Sequence, residues 1–442
     1  MKKITPAYLK LQDIRFKRQR ARFSIKIGTK QKLLEQQLNR VTAIRKEYLT
    51  AFGEISSKVL KIKKRQKEFE VIIPKDFSLY NDPSTVLDII YNISQLKKHS
   101  QVKSIYINHS LCESHDLAAE ILLASSVSNL KLFKTSRGAK FRVHGLMPER
   151  QSMCHLLRTI GVVKETANTK YHLKSKEQFE LFKRVSQPTE KVEIIGIDKK
   201  ARATSGFTDY MNGCLKFISA KLDRQEEKKL NRYIGELLGN AEDHSGKKLW
   251  NIVGYLDASD RCNLTSEAVI FNVGKTITET FEDKINSDIV YKKLQEYIDK
   301  HHNHCSKEQL TMVHALQQNA SSKKDITIDR GQGTKYLIDL FEHLSNECSR
   351  INKIRKVQHS NARPKMLVLS GNVMIQFDGT YTHSVTDNKM VYAFNESNNL
   401  DLAPDKCYIP MLDKGVTFPG TVIYIKFPLY EETLASNHNE SD

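Results

Sequence analysis

Glu236, Asn240, Asp243 and His244 are the residues of this sequence whose types and spacing best suit chemistry. A four-residue step puts Glu236 and Asn240 on one side of a helix, and Asp243 and His244 follow one turn on. Such a side offers a carboxylate as a base, a neutral amide oxygen for a hard cation, and a donor toward phosphate. Mg²⁺ takes oxygen ligands and keeps several waters, so one Asn together with nucleotide phosphates makes a workable set. The same pair also arises on an ordinary solvated helix face.

The elements that must position these groups are legible on either side. Leu230, Tyr233, Ile234, Leu237, Leu238 and Ala241 recur at three- and four-residue steps, which predicts an amphipathic helix over Leu222 to Glu242. Trp250 to Asp257 reads as a strand. Ala268 to Gly274 reads as a buried strand running into a glycine turn, with Lys275 beyond it. Arg330-Gly331-Gln332-Gly333-Thr334-Lys335 is a second glycine-rich turn, entering a helix from Tyr336 to Leu344. Free N–H groups and the positive end of that helix suit a triphosphate, and glycines let the backbone crowd it. Met366 to Ser370, Val373 to Phe377 and Pro419 to Pro428 complete the strands.

In this order the segments resemble the GHKL ATPases: gyrase, the MutL mismatch-repair proteins, the ninety-kilodalton heat-shock chaperones, histidine kinases and anti-sigma serine kinases. Glu236 and Asn240 fill the family's N-box, Glu-x-x-x-Asn-Ala. The resemblance implies that Glu236 orients or deprotonates the attacking water and that Asn240 holds Mg²⁺. Asp243 sits where the gyrase and MutL branch has its Asp, and His244 where histidine kinases often carry a Lys or His toward the phosphates. The family's adenine box is Asp-x-Gly-x-Gly; here Asn272 replaces the Asp, Gly274 is kept, and Thr276 replaces the second Gly. The adenine contact therefore loses a charge, and Asn272, Gly274 and Lys275 are its implied residues. Gly331, Gln332, Gly333 and Thr334 match the second glycine box, Thr421 in the closing Gly-Thr strand backs the adenine pocket, and Thr278 to Asp329 corresponds to a mobile lid. The resemblance implies a GHKL, or Bergerat-type, α/β sandwich over residues 195–430 that binds ATP with Mg²⁺.

Upstream, residues 69–190 alternate strands with helices: strand Phe69 to Pro74, helix Asp82 to Leu96, strand Val102 to Ile107, helix Asp116 to Val127, strand Ala139 to Val143 and helix Ser152 to Ile160. That alternation predicts a layered α/β domain. The pattern is similar to the STAS fold of anti-sigma antagonists; Ser114 is the nearest candidate for their phosphorylated serine. The expected fold class is thus multidomain α/β: a basic helical arm, a STAS-like α/β domain, the GHKL sandwich, and a tail over 431–442.

The arm concentrates charge. Residues 1–68 hold 20 Lys/Arg and 5 Asp/Glu, or +15 of the net +19. From Leu34 to Ile62 apolar residues, interrupted by Arg45, follow a heptad pattern that predicts a long helix. That helix would either pack on its own body or pair along its seam, as in a homodimer. The clustered cations suit a nucleic acid or another polyanion. No run of about 18 apolar residues occurs, so no membrane span is expected. The basic start lacks an apolar segment for a secretory signal. Seven cysteines, scattered singly, suit a reducing, cytoplasmic setting.

Three segments imitate other sites. His155-Leu156-Leu157-Arg158-Thr159 resembles a phosphoacceptor box without its acidic and proline neighbours, and reads as core. Gly274-Lys275-Thr276 resembles the end of a P-loop, but Val269 stands where that loop needs its first Gly. His301, His302 and His304 with Cys305 are metal-ligand types, yet adjacent histidines on a helix face apart and no second pair follows at metal spacing. The function expected is an ATP-binding, ATP-hydrolysing cytoplasmic switch acting on a protein or nucleic-acid partner, in a bacterial stress or defence setting. The alternatives are a serine kinase of the anti-sigma type and a nucleotide-binding module that does not hydrolyse.

Overall fold

The computed structural model describes residues 46–56, 58–166, 179–185, 199–247, 249–259, 264–282, 289–317, 363–386 and 389–429, with the helical residues 338–339, 341–343, 345–346 and 348–350. Within them the chain is mixed α/β, with a parallel sheet in its N-terminal part and a six-stranded antiparallel sheet with helices after it.

The parallel sheet has the order β1-β3-β5, with β1 Glu68–Ile72, β3 Ser104–Asn108 and β5 Arg142–Leu146. The strand pairs β2 Asp76–Phe77 and β4 Ser114–His115 lie beside it. Parallel neighbours need crossovers, and α2 Pro83–Gln95 and α3 Leu117–Thr135 supply them. Both start where the sequence places caps: Asp82 accepts the Thr85 N–H at 3.0 Å and Asp116 accepts the Ala119 N–H at 2.7 Å, satisfying donors that the first turn leaves open. Helices α4 Gln151–Thr159 and α5 Val162–Thr166 follow.

The second sheet runs β10-β9-β13-β8-β7-β6, all neighbours antiparallel. Its strands are β6 Phe179–Val185, β7 Trp250–Asp257, β8 Thr265–Val273, β9 Lys365–Gly371, β10 Val373–Phe377 and β13 Phe418–Pro428; β11 Ser384–Thr386 and β12 Lys389–Val391 form a separate hairpin. Side chains alternate between the faces. Val253, Val269, Phe271, Leu369 and Val422 join one core with the parallel-sheet part. Trp250, Ile252, Ile270 and Val368 join another with α6 Lys199–Lys216, α7 Arg224–His244 and the helices that follow. The sheet is the middle layer, with the parallel-sheet part on one side and helices on the other.

Four sequence expectations change. Residues 46–52 are helical (α1), but the described residues from 53 to 67 are not, so Val59 and Ile62 do not extend a heptad helix. Gly53 follows the helix, and the Lys97 ammonium takes the Leu49 carbonyl at 2.8 Å. The seam residues Tyr48, Phe52 and Ile55 are spent within the chain: all three are buried in the first core, and the Tyr48 hydroxyl takes the Asn251 amide at 2.6 Å. Residues 1–45 of the arm and the tail 431–442 lie outside the described residues. Residues 179–185, grouped by the sequence reading with the first unit, instead form the edge strand beside β7.

The segment read as a lid contains three helices, α8 Ile277–Glu282, α9 Ile289–His301 and α10 Lys307–Ala315. Phe281, Leu294, Ile298, Leu310 and Val313 are buried in the second core. The histidine cluster divides accordingly: His301 is buried with Nε2 on the Leu400 carbonyl at 2.9 Å, while His302 and His304 are exposed. No group of three or more metal-ligand side chains suited to a metal occurs among the described residues. No helix among them is long and apolar enough to cross a membrane. His155 is packed as read, its ring on Phe179 and Nδ1 3.1 Å from the Tyr255 hydroxyl. Ser114 is exposed and bonds Asp76 at 2.6 Å.

Candidate functional site

Helix α7 begins at a capping box. Asp223 accepts the N–H groups of Gln225 and Glu226 at 2.6 and 2.8 Å, and Glu226 accepts the Asp223 N–H at 2.8 Å. Leu230, Ile234, Leu237 and Leu238 bury one side of the helix. Glu236 is half-buried and lies 3.4 Å from the Arg232 guanidinium one turn earlier, and Asn240 is exposed. A Cβ at Gly239 would meet no atom of the described residues, so among them this stretch of the helix is left uncovered next to Asn240. Asp243 and His244 occupy the last turn of α7.

The end of α7 touches the end of β8. The Ser245 carbonyl accepts the Lys275 N–H at 2.9 Å, and Gly274 donates to the Pro419 carbonyl at 3.1 Å. Gly274 has φ +142°, and a Cβ there would run into the Ser245 carbonyl. The glycine is thus required for helix and strand to meet, a reason the sequence reading did not include. Lys275, exposed, follows at the same junction.

Asn272 belongs to a row that crosses four strands. Trp250 faces Asn272, Asn272 faces Thr421, and Thr421 faces Ser370. Register fixes all four on the helix-covered side, where Ile252, Ile270 and Val368 continue the row's neighbours as core. The face that is apolar along its length therefore turns polar at this end. Asn272 is 6% exposed, and its amide has no hydrogen-bond partner among the described residues. Ser370, 2% exposed, accepts the Ile277 N–H at 2.9 Å and donates to the Gly420 carbonyl at 2.7 Å, with Thr421 Oγ1 at 3.1 Å. Because the Ser370 proton goes to Gly420, the Thr421 hydroxyl donates to Ser370 and keeps its lone pairs outward.

Trp250 connects this row to α7: its indole N–H donates to Glu242 at 2.8 Å, and Glu242 also meets Lys200 at 3.2 Å. Glu242 lies two residues after Asn240. The structure therefore brings Asn272, Gly274, Lys275 and Thr421 to one end of the sheet, where α7 ends; Glu236 and Asn240 lie farther back on that helix. Gly331, Gln332, Gly333 and Thr334 lie outside the described residues. Sequence reasoning missed Ser370, Trp250, Glu242 and Lys200. It also missed that Thr276 opens α8: Thr276 N–H donates to Glu279 at 2.7 Å and Glu279 N–H to Thr276 at 3.1 Å. The signal was present as Thr-x-x-Glu. Where a second glycine was expected, the chain starts a helix.

Comparison of the chain with protein-family models, with curated proteins and with solved structures found no match.

Proposed function

We propose that this end of the six-stranded sheet binds ATP with Mg²⁺, as a GHKL-like site, and that the protein is a nucleotide-dependent switch that hydrolyses ATP. The observation that carries the reading is the Trp250–Asn272–Thr421–Ser370 row beside the end of α7. An unpartnered Asn272 amide oxygen and the outward lone pairs of Thr421 suit an exocyclic amine such as that of adenine. Asn240, exposed one turn before the helix meets Gly274, would supply an amide oxygen to the cation. Glu236, held by Arg232, would orient or deprotonate a water. Mg²⁺ would neutralise phosphate charge; the chain's own part is to place the base, the amide and the adenine contacts.

Mg²⁺-ATP should raise the melting temperature, because a ligand that binds the folded state stabilises it by mass action. Asn240→Ala should abolish the rise; no rise in wild type at millimolar ATP overturns the proposal. Glu236→Ala should keep the rise and lose phosphate release from radiolabelled ATP, and label appearing on protein instead would support the kinase alternative. One observation favours a second reading, a module that binds nucleotide without turnover: the Thr276–Glu279 box closes the turn that the family keeps open with glycine. Equal phosphate release by wild type and Glu236→Ala would support it.

A further inference from the structure

The amino-terminal ends of β1, β3 and β5 bring three loops side by side. Lys103 and Ser104 both donate backbone N–H groups to the Lys67 carbonyl, at 2.7 and 3.2 Å, and Arg142 donates to the Lys103 carbonyl at 3.0 Å. Neighbouring strands lie roughly 4.8 Å apart, so Lys67, Lys103 and Arg142 stand as a close row. Lys134, near the end of α3, fastens the third loop to the second, with Nζ on the His99 and Val102 carbonyls at 2.7 and 3.1 Å.

Charge accumulates here without compensation. The turn of residues 61–67 carries five Lys/Arg and no carboxylate. Lys98 and Lys103 add two from the second loop, and Arg137, Lys140 and Arg142 add three from the third; all ten are exposed. None of the ten forms an ion pair among the described residues. The adjacent Glu68 is already taken by Ser104 and His144, each at 2.7 Å. Folded surfaces ordinarily intersperse the two signs. Burial, and then the Lys103 cation, push the Lys134 ammonium down to about 8.

The rest of the surface narrows the partner. A membrane-binding patch adds apolar side chains that enter the headgroup layer. Ile72, Leu111 and Leu146 are exposed, but at the opposite, carboxyl-terminal ends of these strands; Val59 alone stands near the basic turn. Single-stranded nucleic acid is held by stacking on open aromatic rings. The aromatics here are already used: the Arg137 guanidinium covers Phe133 at 4.3 Å, and Phe141 is buried beneath Lys134 at 5.4 Å.

We propose that this end of the parallel sheet is a binding surface for a nucleic-acid duplex, held through its phosphates without reading base sequence. It is built on residues 61–142, not on residues 1–45, and it does not depend on the nucleotide site. The full chain should bind a short random-sequence DNA duplex, measured by fluorescence anisotropy, with an affinity that falls steeply as salt rises. An RNA duplex of the same length should bind by the same surface. Lys103→Glu, Arg137→Glu and Lys140→Glu combined should weaken binding at least about tenfold and lower the salt slope by about 2 to 3, since each lost phosphate contact removes about 0.9. The same three positions changed to Gln should show the same slope change with an unchanged melting temperature. Absence of binding by wild type at low salt overturns the proposal. So does an unaltered affinity and slope in the Gln variant, which would assign binding to cations outside this three-loop row. Tighter binding to a single strand, or to phosphatidylserine vesicles, overturns it as well.

Discussion

The Glu267 carboxylate accepts the Leu117 backbone N–H at 2.8 Å, so a side chain of the six-stranded sheet caps the first turn of a helix that belongs to the parallel-sheet part. The same oxygen takes the Tyr424 hydroxyl at 2.7 Å, and Lys426, Glu267's cross-strand partner, stands 3.5 Å away. Glu267→Ala strands the Lys426 cation and leaves the helix start and the tyrosine unpaired. It should cost about 2 to 4 kcal/mol in urea unfolding, against about 1 kcal/mol for Tyr424→Phe. Equal costs would show that the carboxylate is not the hub.

Two carboxyls of this junction titrate in opposite senses. Burial works to raise Glu267, but the Lys426 cation, the Leu117 N–H and the Tyr424 hydroxyl outweigh it and hold the carboxyl below its usual range. Its contribution is present above the ordinary carboxylate pKa and is lost as pH falls through the depressed value. Asp116 is pushed up to about 6 by burial, against hydrogen bonds from Ala119, Ser78 and Tyr80. Its folded state holds the proton more tightly, so that contribution is full below the unfolded value and is lost as pH rises through about 6. Asp116→Asn keeps a capping oxygen. The stability of wild type relative to Asp116→Asn should fall from about pH 4 to about pH 6 in denaturant titrations. A constant difference would contradict the shift.

Gly274 and Gly239 make a matched pair. Gly274→Ala must place a side chain at positive φ against the Ser245 carbonyl. It should cost more than about 2 kcal/mol and part the end of α7 from β8. Gly239→Ala meets open space inside a helix and should gain about 0.5 to 1 kcal/mol. Thermal unfolding of the two variants checks both signs.

Asn272 offers adenine an amide without charge. Asn272→Asp should raise the preference for ATP over GTP, read from the two melting-temperature shifts. Wild-type preference should stay below about a thousandfold, which a fully paired polar site can exceed. An unchanged ratio in the variant would mean that Asn272 does not meet the base.

The sequence reveals the strands and α7 because their apolar periods are strong: Trp250 to Asp257 and Val373 to Phe377 fall on the observed strands residue for residue. It is less informative about what covers an apolar face. Tyr48, Phe52 and Ile55 have the spacing of a seam whether a second chain or the chain's own Phe271 and Phe418 lies opposite. The helices of the supposed lid were hidden by polar composition, although Ser306-x-x-Gln309 announces α10 by a capping box. At the candidate site, Asn272 and Thr421 are visible as residue types. Their placement side by side is set by pairing between strands about 150 positions apart in the chain, which no local pattern encodes. Ser370 enters the same row only through β9.

Leu117 to Ala124 are buried without a break, and α3 packs against α2 on one side and β8 on the other. Over those first two turns the helix has no wet stripe, and so no surface along which the molecule can be divided. Cutting the chain between the two sheets would leave one piece exposing the side of α3 that packs on β8 and the other exposing the sheet face that α3 covers. The described body should therefore lose its structure in a single cooperative transition, and a fragment carrying only the parallel sheet should aggregate when expressed alone.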